Sequence, residues 1–387
     1  MDNTAMKNNT TMLWLGGVVL LAAAGCGRDE ESSPDASRIS SSDAAARDNV
    51  DAGVVIVADA DPSPDAAVIT PATEGLLLFG GSDGEHAADT MWQWNGESWQ
   101  EVVAPGPRPE GRMGHAMVYD PVRDRIVLFG GELADSSQFF NDTWEWDGER
   151  WTLVDDGEGE APVPRSSHGM VYHAELAETL LFAGHEGGFT SLNRRRDTWR
   201  WNGTRWEELS TDTISGTRSQ LGMAYHASTA NAVLFSGNAR IGLTLQRPED
   251  TFTHDETGWT EPEIDVIPPG RRSHAMAYDP ERDVIVLFGG STSRGAGNQL
   301  GDTWEWDGEA WHEISPANDV APSPRNSHAL AFDPVSERIL LFGGEVEGEE
   351  LSTETWSWDG VAWELLDDAG GPTVGLVDAA MAQSPVP

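Results

Sequence analysis

The sequence predicts an all-β fold assembled from six copies of one unit of about 53 residues. Three observations carry this prediction. Apolar runs that end in glycine pairs recur along the 387-residue chain, tryptophans recur in triplets, and all four tyrosines lie 53 residues apart, at Tyr119, Tyr172, Tyr225 and Tyr278. Equal spacing at several independent positions is typical of a repeat architecture, in which each unit buries its apolar face against its neighbours.

The glycine pairs and the tryptophans share one period. Successive pairs are separated by 50, 53, 53, 53 and 54 residues, at Gly80-Gly81, Gly130-Gly131, Ala183-Gly184, Ser236-Gly237, Gly289-Gly290 and Gly343-Gly344. Sixteen of the seventeen tryptophans follow at fixed offsets: Trp92, Trp94 and Trp99; Trp144, Trp146 and Trp151; Trp199, Trp201 and Trp206; Trp259; Trp304, Trp306 and Trp311; Trp356, Trp358 and Trp363. Only Trp14 lies outside this pattern.

Each copy is predicted to form four short strands. In the second copy these are 115–120, 125–130, 142–146 and 150–154, and the third alternates between polar and apolar residues. Asp120-Pro121 marks the turn after the first strand, and Asp147-Gly148 is typical of a tight hairpin. The glycine pair supplies backbone angles that other residues reach only at a cost.

The copies fill about residues 62–371. Their predicted bounds are about 62–106, 107–160, 161–214, 215–268, 269–321 and 322–371. The first copy looks shorter, but residues 65–81 align without gaps on residues 115–131, so we expect it to be complete. Deletion of residues 62–75 should then destabilise the whole assembly. Residues 372–387 are expected to be an irregular Ala/Pro tail, with no second domain.

An apolar strand that ends in Gly-Gly, an aromatic residue in the third strand and a tryptophan in the fourth make the chain resemble the kelch-repeat family, over about 310 of the 387 residues. The resemblance implies a six-bladed β-propeller with the first strand of each blade nearest the axis. The chain departs from the family in having two weakened glycine pairs and tryptophan where the third strand usually has tyrosine. Kelch propellers include enzymes, peptide binders and scaffolds, so the fold does not fix the function.

The N-terminus predicts export and lipid anchoring. Residues 12–24 form an apolar run that is too short to span a bilayer as a helix but fits the core of a signal peptide. It ends at Cys26 in Ala-Ala-Gly-Cys, which resembles the lipobox of bacterial lipoproteins, a family in which cleavage precedes a lipidated cysteine that often carries palmitate. We therefore expect a signal peptide over 1–25, a disordered Ser/Asp/Ala/Pro-rich tether over 26–61 and, because Gly27 follows the cysteine, an outer-membrane or cell-surface location. An ordinary secretory signal is the alternative, and Met1 and Met6 are both possible starts.

Composition excludes several functions. The formal charge is −41, which argues against a nucleic-acid partner because phosphates need clustered basic residues. The only lysine is Lys7 and the only cysteine is Cys26, so the mature chain has no residue for Schiff-base chemistry, a disulfide or a cysteine-rich metal site. We expect no cofactor and no metal, and we expect a monomer.

The candidate binding residues form a repeated pair at the start of the first strand. Arginines open five copies, and a histidine follows three residues later in four of them: Arg112, Arg165, Arg218, Arg271 and Arg325, with His115, His168, His274 and His328. In a kelch propeller these arginines would circle the channel mouth, where five guanidiniums could hold an anionic ligand through forked hydrogen bonds. The structural alternative is that each arginine pairs with the third-strand acid of its own or a neighbouring blade, at Asp142, Asp197, Asp250, Asp302 or Glu354.

The tryptophans also allow two interpretations, a platform for sugars and packing between blades, and their regular repetition favours packing. We find no catalytic constellation and expect His173 and His226 to be exposed turn residues.

The sequence thus predicts a binding module that recognises an unknown protein or glycan through one face. The alternative is a carbohydrate-modifying enzyme similar to the kelch mutarotase that acts on sialic acid. An acid that breaks the repeat at the channel mouth would favour that alternative, and Asp65 is the candidate.

Overall fold

The computed structural model describes residues 75–187, 193–209, 214–293, 297–348, 350–367 and 371–383. The chain divides into two compact units, Met1–Ser63 and Pro64–Pro387, and every described residue lies in the second. The predicted signal peptide, Cys26, the tether and Asp65 lie outside the described residues. No helix in the described ranges is long and apolar enough to cross a membrane.

Each repeat forms a four-stranded antiparallel sheet, here called a blade. In the second blade, β4 (Ala116–Asp120) pairs with β5 (Arg125–Phe129), β5 pairs with β6 (Thr143–Trp146), and β6 pairs with β7 (Trp151–Asp155). All of β6 and all but the first residue of β5 are buried, because both faces of the sheet are covered by neighbouring blades. The predicted four-stranded repeat is confirmed.

The third to sixth blades have the same strand order. The third consists of β8 (Gly169–His173), β9 (Glu178–Phe182), β10 (Thr198–Trp201) and β11 (Trp206–Leu209). The fourth consists of β13 (Gly222–His226), β14 (Asn231–Phe235), β17 (Thr251–Asp255) and β18 (Gly258–Thr260). The fifth consists of β19 (Ala275–Asp279), β20 (Val284–Phe288), β21 (Thr303–Trp306) and β22 (Trp311–Ile314). The sixth consists of β24 (Ala329–Asp333), β25 (Arg338–Phe342), β28 (Thr355–Trp358) and β29 (Trp363–Asp367).

The first blade takes its innermost strand from the other end of the chain. Its sheet contains β1 (Leu76–Phe79), β2 (Met91–Trp94) and β3 (Trp99–Glu101), and β1 pairs on its remaining edge with β30 (Ala380–Gln383). The prediction of an irregular tail over 372–387 is therefore wrong, and so is the prediction that the segment before β1 completes this blade. The physical reason is that β1 has one free edge, and β30 occupies it.

The innermost strands contact one another in a closed cycle, β4, β8, β13, β19, β24, β30 and back to β4. A hydrogen-bonded ring reinforces the cycle at one end of the strands. Six backbone N–H groups each donate to the carbonyl of the equivalent residue in the neighbouring blade at 2.7–2.9 Å, around Gly114, Ser167, Gln220, Ser273, Ser327 and Asp378. All six residues have positive φ, between 52° and 64°. The structure is thus a closed six-bladed β-propeller, as predicted.

The tryptophans pack between blades, and the packing interpretation is confirmed. The fourth-strand indoles are at most 4 % exposed, and Trp206 Nε1 donates to Thr143 Oγ1 of the preceding blade at 2.9 Å. Trp259, Trp311 and Trp363 repeat this bond. Trp99 donates to Thr355 at 2.9 Å, across the junction where the first and sixth blades meet.

Two small sheets that the sequence did not predict lie at the ends of the blades. They consist of β12 (Thr217–Ser219), β15 (Asn238–Ile241) and β16 (Thr244–Gln246), and of β23 (Arg325–Asn326), β26 (Glu345–Val346) and β27 (Glu350–Leu351). Both join the start of an innermost strand to the loop between the second and third strands. We call this side of the propeller the mouth face, and the opposite side, which carries turns such as 120–125, the turn face.

Closure by β30 gives a first prediction. Truncating the chain after Ala379 removes a strand whose residues Ala380, Met381 and Ala382 are at most 9 % exposed, and it leaves one edge of the buried strand β1 unpaired. We expect a loss of unfolding free energy greater than the about 2–5 kcal/mol of a single large-to-small core substitution, measured by urea unfolding followed by tryptophan fluorescence. A truncation after Gln383 keeps the strand and is the control. Equal stability of the two truncated proteins would contradict this closure.

Candidate ligand site at the channel mouth

The central channel is lined by layers that follow the innermost strands from the mouth face to the turn face. The hydrogen-bonded ring comes first, and the histidine position lies directly below it around a chamber of about 120 Å³. A methionine layer comes next, and a wider chamber of about 520 Å³ lies at the turn face. The tyrosines of the repeat line that wider chamber together with Phe332.

The predicted histidines form a collar in the small chamber. His115, His168, His274 and His328 are 6–7 % exposed, and Leu221 and Ala379 complete the collar. Each imidazole packs edge-on against a phenylalanine of the preceding blade at 5.5 Å between ring centroids. The ring nitrogens of all four are buried, and the backbone of Phe79, Phe235 and Phe288 lies against the imidazoles of His115, His274 and His328.

Burial keeps these imidazoles neutral. It lowers the pKa of His168 and His328 to about 3, and the positive charge of the nearby arginine acts in the same direction. The same two causes lower the pKa of His115 and His274 well below the usual range. At neutral pH the four imidazoles of the collar are therefore uncharged.

The predicted arginines do not face the channel. Arg112, Arg165, Arg218, Arg271 and Arg325 are all fully buried. Arg165 donates to both carboxylate oxygens of Asp197 at 2.8 and 2.7 Å and to the carbonyls of Ala183 and Val163 at 2.8 and 3.0 Å. Arg112, Arg218 and Arg271 make the same fork to Asp142, Asp250 and Asp302.

Arg325 pairs with Glu354 at 2.5 Å and with Ser352. The acidic partners are 12–36 % exposed, and burial of Asp197 is outweighed by its bonds to Arg165, so that its pKa is lowered. These ion pairs are the ones expected if the arginines are structural and pair with third-strand acids rather than with a ligand. With every fork occupied inside its own blade, the geometry does not favour the anion-binding role, which remains a prediction without a direct test.

The residues that vary between blades are those of the hydrogen-bonded ring and the position before it. Arginine fills its layer in five blades, histidine in four and methionine in five, whereas serine fills only three positions of the ring, which carries Gly114, Ser167, Gln220, Ser273, Ser327 and Asp378. The preceding position carries Met113, Ser166, Ser219, Arg272, Asn326 and Val377. Side chains that differ around a constant scaffold are those free to specify a ligand.

Asp378 is the acid that breaks the repeat. It belongs to the first blade, where Leu376 stands at the arginine position and Ala379 at the histidine position. Burial raises the pKa of Asp378 to about 6, although Ser327 donates a hydrogen bond to its carboxyl group. Glu132 and Glu345 raise the pKa further and Arg272 lowers it. Sequence reasoning placed this feature at Asp65, because it took the first blade to be complete at its N-terminal end.

Above the ring the mouth widens into a basin of about 310 Å³. Arg272 donates to Gln220 Oε1 at 3.2 Å, and Asn326 lies 3.4 Å from Glu345 Oε2. Met113, Leu351 and Val377 add apolar surface to a wall that is otherwise polar. The basin leads down to Asp378 and, past the ring, to the histidine collar.

Two histidines of the turn face lie where sequence reasoning did not expect them. His173 and His226 are fully buried rather than exposed. His173 Nε2 lies 3.2 Å from the His254 carbonyl, and His226 Nε2 lies 3.0 Å from the Asp283 carbonyl, so both rings bridge neighbouring blades. In the described ranges, no cluster of three or more His, Cys, Asp or Glu side chains could hold a metal ion.

Comparisons with known proteins agree with the resemblance to kelch repeats. A model of the KLHDC2/KLHL20/DRC7 Kelch-repeats domain matches residues 66–244. Host cell factor 1 of Rattus norvegicus is 25 % identical over 311 residues, which cover 69 % of this chain and 14 % of that protein. Dynein regulatory complex subunit 7 of Chlamydomonas reinhardtii is 34 % identical over 118 residues, which cover 29 % of this chain and 10 % of that protein. This chain therefore matches only a small part of each of these longer relatives.

The arginine forks give a second prediction. Arg165→Ala would leave Asp197 without its partner, so we expect a loss of about 3–5 kcal/mol of unfolding free energy, measured by urea unfolding. Arg165→Lys should recover only part of it, because an ammonium cannot form the fork. Arg150→Ala is the matched control, since the Arg150 side chain is 61 % exposed and its ion pairs lie at the surface. Arg165→Ala as stable as this control would favour the ligand-binding role instead.

Asp378 gives a third prediction, about pH. Because its pKa is raised from 3.8 to about 6 in the folded protein, the stability associated with this carboxyl is full at low pH and is lost as the pH rises through 6. Asp378→Asn should therefore have a higher free energy of unfolding than the wild type, by up to about 3 kcal/mol at pH 8. At pH 5 this gain should be smaller by roughly 1–1.5 kcal/mol.

Urea unfolding at pH 5 and pH 8 measures this difference, and both values lie above the isoelectric point of about 4.3. Glu281→Gln, which removes one exposed carboxylate from the turn face, is the control and should show no such trend. A variant Asp378→Asn that is less stable than the wild type at both pH values would mean that the ionised carboxylate makes a favourable contact.

Proposed function

We propose that this chain is an exported, lipid-anchored propeller that binds a protein or glycan partner through its mouth face. The observation that carries the proposal is the contrast between the layers of the channel, where one residue type fills four or five of the six positions, and the ring above them, where serine fills three and glycine, glutamine and aspartate fill the others.

The scaffold below the mouth is rigid in a way that suits recognition. Six inter-blade hydrogen bonds fix the backbone of the ring, and the buried arginine forks hold the start of the innermost strands to the third strands. A preformed site loses less conformational entropy on binding than a flexible one. The partner binds to side chains that are already in place at the mouth.

The net charge of −41 supports a partner other than nucleic acid. The relatives do not supply its identity, because the match covers 14 % or less of the proteins reported above. The partner class thus rests on the mouth itself, with its mixed polar and apolar wall.

Anchoring is a separate part of the proposal and rests on the sequence around Cys26. We expect the mature N-terminus to carry acyl groups at this residue and the protein to fractionate with the outer membrane. Cys26→Ser should release it from the membrane fraction, and mass spectrometry of the N-terminal peptide checks the acylation directly. An unmodified mature N-terminus would remove the anchor and leave the binding proposal unaffected.

A carbohydrate-modifying enzyme is the second candidate, and Asp378 is the observation in its favour. A carboxyl group with a pKa of about 6 beside neutral imidazoles is suited to general acid–base catalysis, which is most effective near the working pH. Mutarotation of a sugar is chemistry of this kind. The alternative therefore requires turnover, which a binding module lacks.

One experiment separates these candidates. Peptide and glycan arrays are probed with the wild type and two steric variants, Ser167→Trp at the ring and Val335→Trp on the turn face, where Val335 is 47 % exposed. We expect ligands that bind the wild type and Val335→Trp but bind Ser167→Trp at least tenfold more weakly. Loss of binding only in Val335→Trp would place the site on the turn face. Anomer exchange of sialic acid catalysed by the wild type, followed by NMR, would favour the enzyme.

A further inference from the structure

The wider chamber at the turn face has an aromatic wall and an apolar inner end. Its volume is about 520 Å³, and the methionine layer that forms its inner end is 6–9 % exposed. One aromatic side chain from each of the second to sixth blades lines the wall: Tyr119, Tyr172, Tyr225, Tyr278 and Phe332. Within the described parts of the chain, no side chain that lines this chamber carries a charge. The chamber therefore suits a ligand with an apolar surface.

Two of the tyrosine hydroxyls have carboxylate partners in the turns that follow them. Tyr119 donates to Asp124 Oδ1 at 2.8 Å, and Tyr278 donates to Asp283 Oδ1 at 2.7 Å. Burial and the bond to Asp124 raise the pKa of Tyr119 to about 12, so this phenol stays protonated and remains a donor. A carboxylate acceptor polarises the phenol that donates to it and makes the face of the ring more negative. These rings therefore attract a cation more strongly than isolated phenols would.

The charges around the turn face favour a cation as well. Asp283, which accepts the bond from Tyr278, has a side chain that is 47 % exposed and so lies at the surface of this face. The arginines of two turns each bind two carboxylates and add no free positive charge: Arg123 with Asp120 and Glu145, and Arg282 with Asp279 and Glu305. The net charge of −41 adds a long-range attraction for cationic ligands.

We propose that the turn-face chamber binds a quaternary ammonium group, with its methyl groups against the tyrosine rings and its longest substituent toward the methionine layer. Such a group has no N–H, so it loses no hydrogen bond at an apolar wall, and its charge is attracted to the faces of the rings. A primary ammonium would leave N–H donors without acceptors in the same place. This site is separate from the mouth face, so the inference goes beyond the proposed function.

The methionine layer suits the substituent that such a group carries. Thioether side chains are flexible and polarisable, so they adapt to apolar groups of different shape. Five of the six positions in this layer are methionine, and Leu330 is the sixth. The chamber thus combines an aromatic wall for the cation with an adaptable apolar surface for the rest of the ligand.

The first test separates recognition of the charge from recognition of the methyl groups. Isothermal titration calorimetry with the full-length protein compares choline with 3,3-dimethylbutan-1-ol, which has the same shape and no charge. It also compares benzyltrimethylammonium with benzylammonium, which has the same charge and no methyl groups. We expect each quaternary ammonium to bind more tightly than its counterpart by about fivefold or more, as one cation–π contact contributes. Equal affinities within either pair, or no binding of either quaternary ammonium, would overturn the inference.

The second test removes one ring of the wall. Tyr225→Leu should weaken binding of benzyltrimethylammonium by about fivefold, whereas Tyr225→Phe keeps the ring and should bind nearly as the wild type does. Because Tyr225 packs against His173 at 4.9 Å between ring centroids, urea unfolding first checks that the leucine variant is folded. Phe139→Leu removes a half-buried aromatic ring from the mouth face and is the matched control. Unchanged affinity in a folded Tyr225→Leu would contradict the aromatic wall.

The third test removes the acceptor of one tyrosine. Asp283→Asn should weaken binding of benzyltrimethylammonium several-fold, because Tyr278 then lacks its anionic acceptor. Glu281→Gln removes the same charge from an exposed residue two positions earlier and should leave the affinity unchanged. An equal loss in both variants would show that general charge attracts the ligand, and it would count against the proposed site.

A free small molecule and a trimethylated lysine of a partner protein present the same head group. An acetylated and amidated Gly-Lys-Gly peptide with a trimethylated lysine distinguishes these sources. Tighter binding of the peptide than of benzyltrimethylammonium would support a protein source, and weaker binding would support a free small molecule. Failure of all these tests would leave the proposed function intact, since the steric variant at Ser167 tests the mouth face separately.

Discussion

The pairing of β30 with β1 is the interaction on which the rest of this structure depends. Without it the first blade has an unpaired inner edge, and neither the cycle of innermost strands nor the ring of six backbone hydrogen bonds can close. The bond from Trp99 to Thr355 joins the first blade to the sixth, between residues that are 256 positions apart. A propeller has no exposed long strand edge only when it is closed, so one four-residue strand determines whether the repeats form a ring or an open stack.

The repeat unit was predictable because its signals are local and occur many times. Glycine pairs, indole triplets and hairpin turns each mark one place in a blade, and their common period indicates the number of units. The closing strand was not predictable in the same way, since residues 65–81 align without gaps on residues 115–131 and thus appeared to complete the first blade. A signal for the correct solution did exist: Ala380-Met381-Ala382 matches Ala275-Met276-Ala277, the inner strand of the fifth blade. It is too short to stand out without the glycine pair and tryptophans that accompany the other copies.

The arginine and histidine pairs show why site prediction is harder than fold prediction. An arginine that opens the first strand of a blade can face the channel or turn into its own sheet, and the sequence spacing is identical in both cases. The distances decide: Arg271 lies 2.7 Å from each carboxylate oxygen of Asp302 and is fully buried, so its fork is occupied. The histidines three residues later do line the channel, as neutral rings rather than as partners of an anion. The same motif therefore contains an arginine that holds the strands of a blade together and a histidine that lines the channel.

The break in symmetry at the first blade connects closure with recognition. A mouth with six identical blades would offer the same group in six directions and could not orient an asymmetric ligand. The closing strand is the one inner strand that is separated in sequence from the rest of its blade, and it replaces the arginine with Leu376, the histidine with Ala379 and the ring serine with Asp378. Removal of the buried arginine also removes the need for its acidic partner in that blade, so the carboxylate can lie at the mouth instead. The raised pKa of Asp378 means that ionising this group at neutral pH opposes folding, so stability alone does not account for an aspartate at this position.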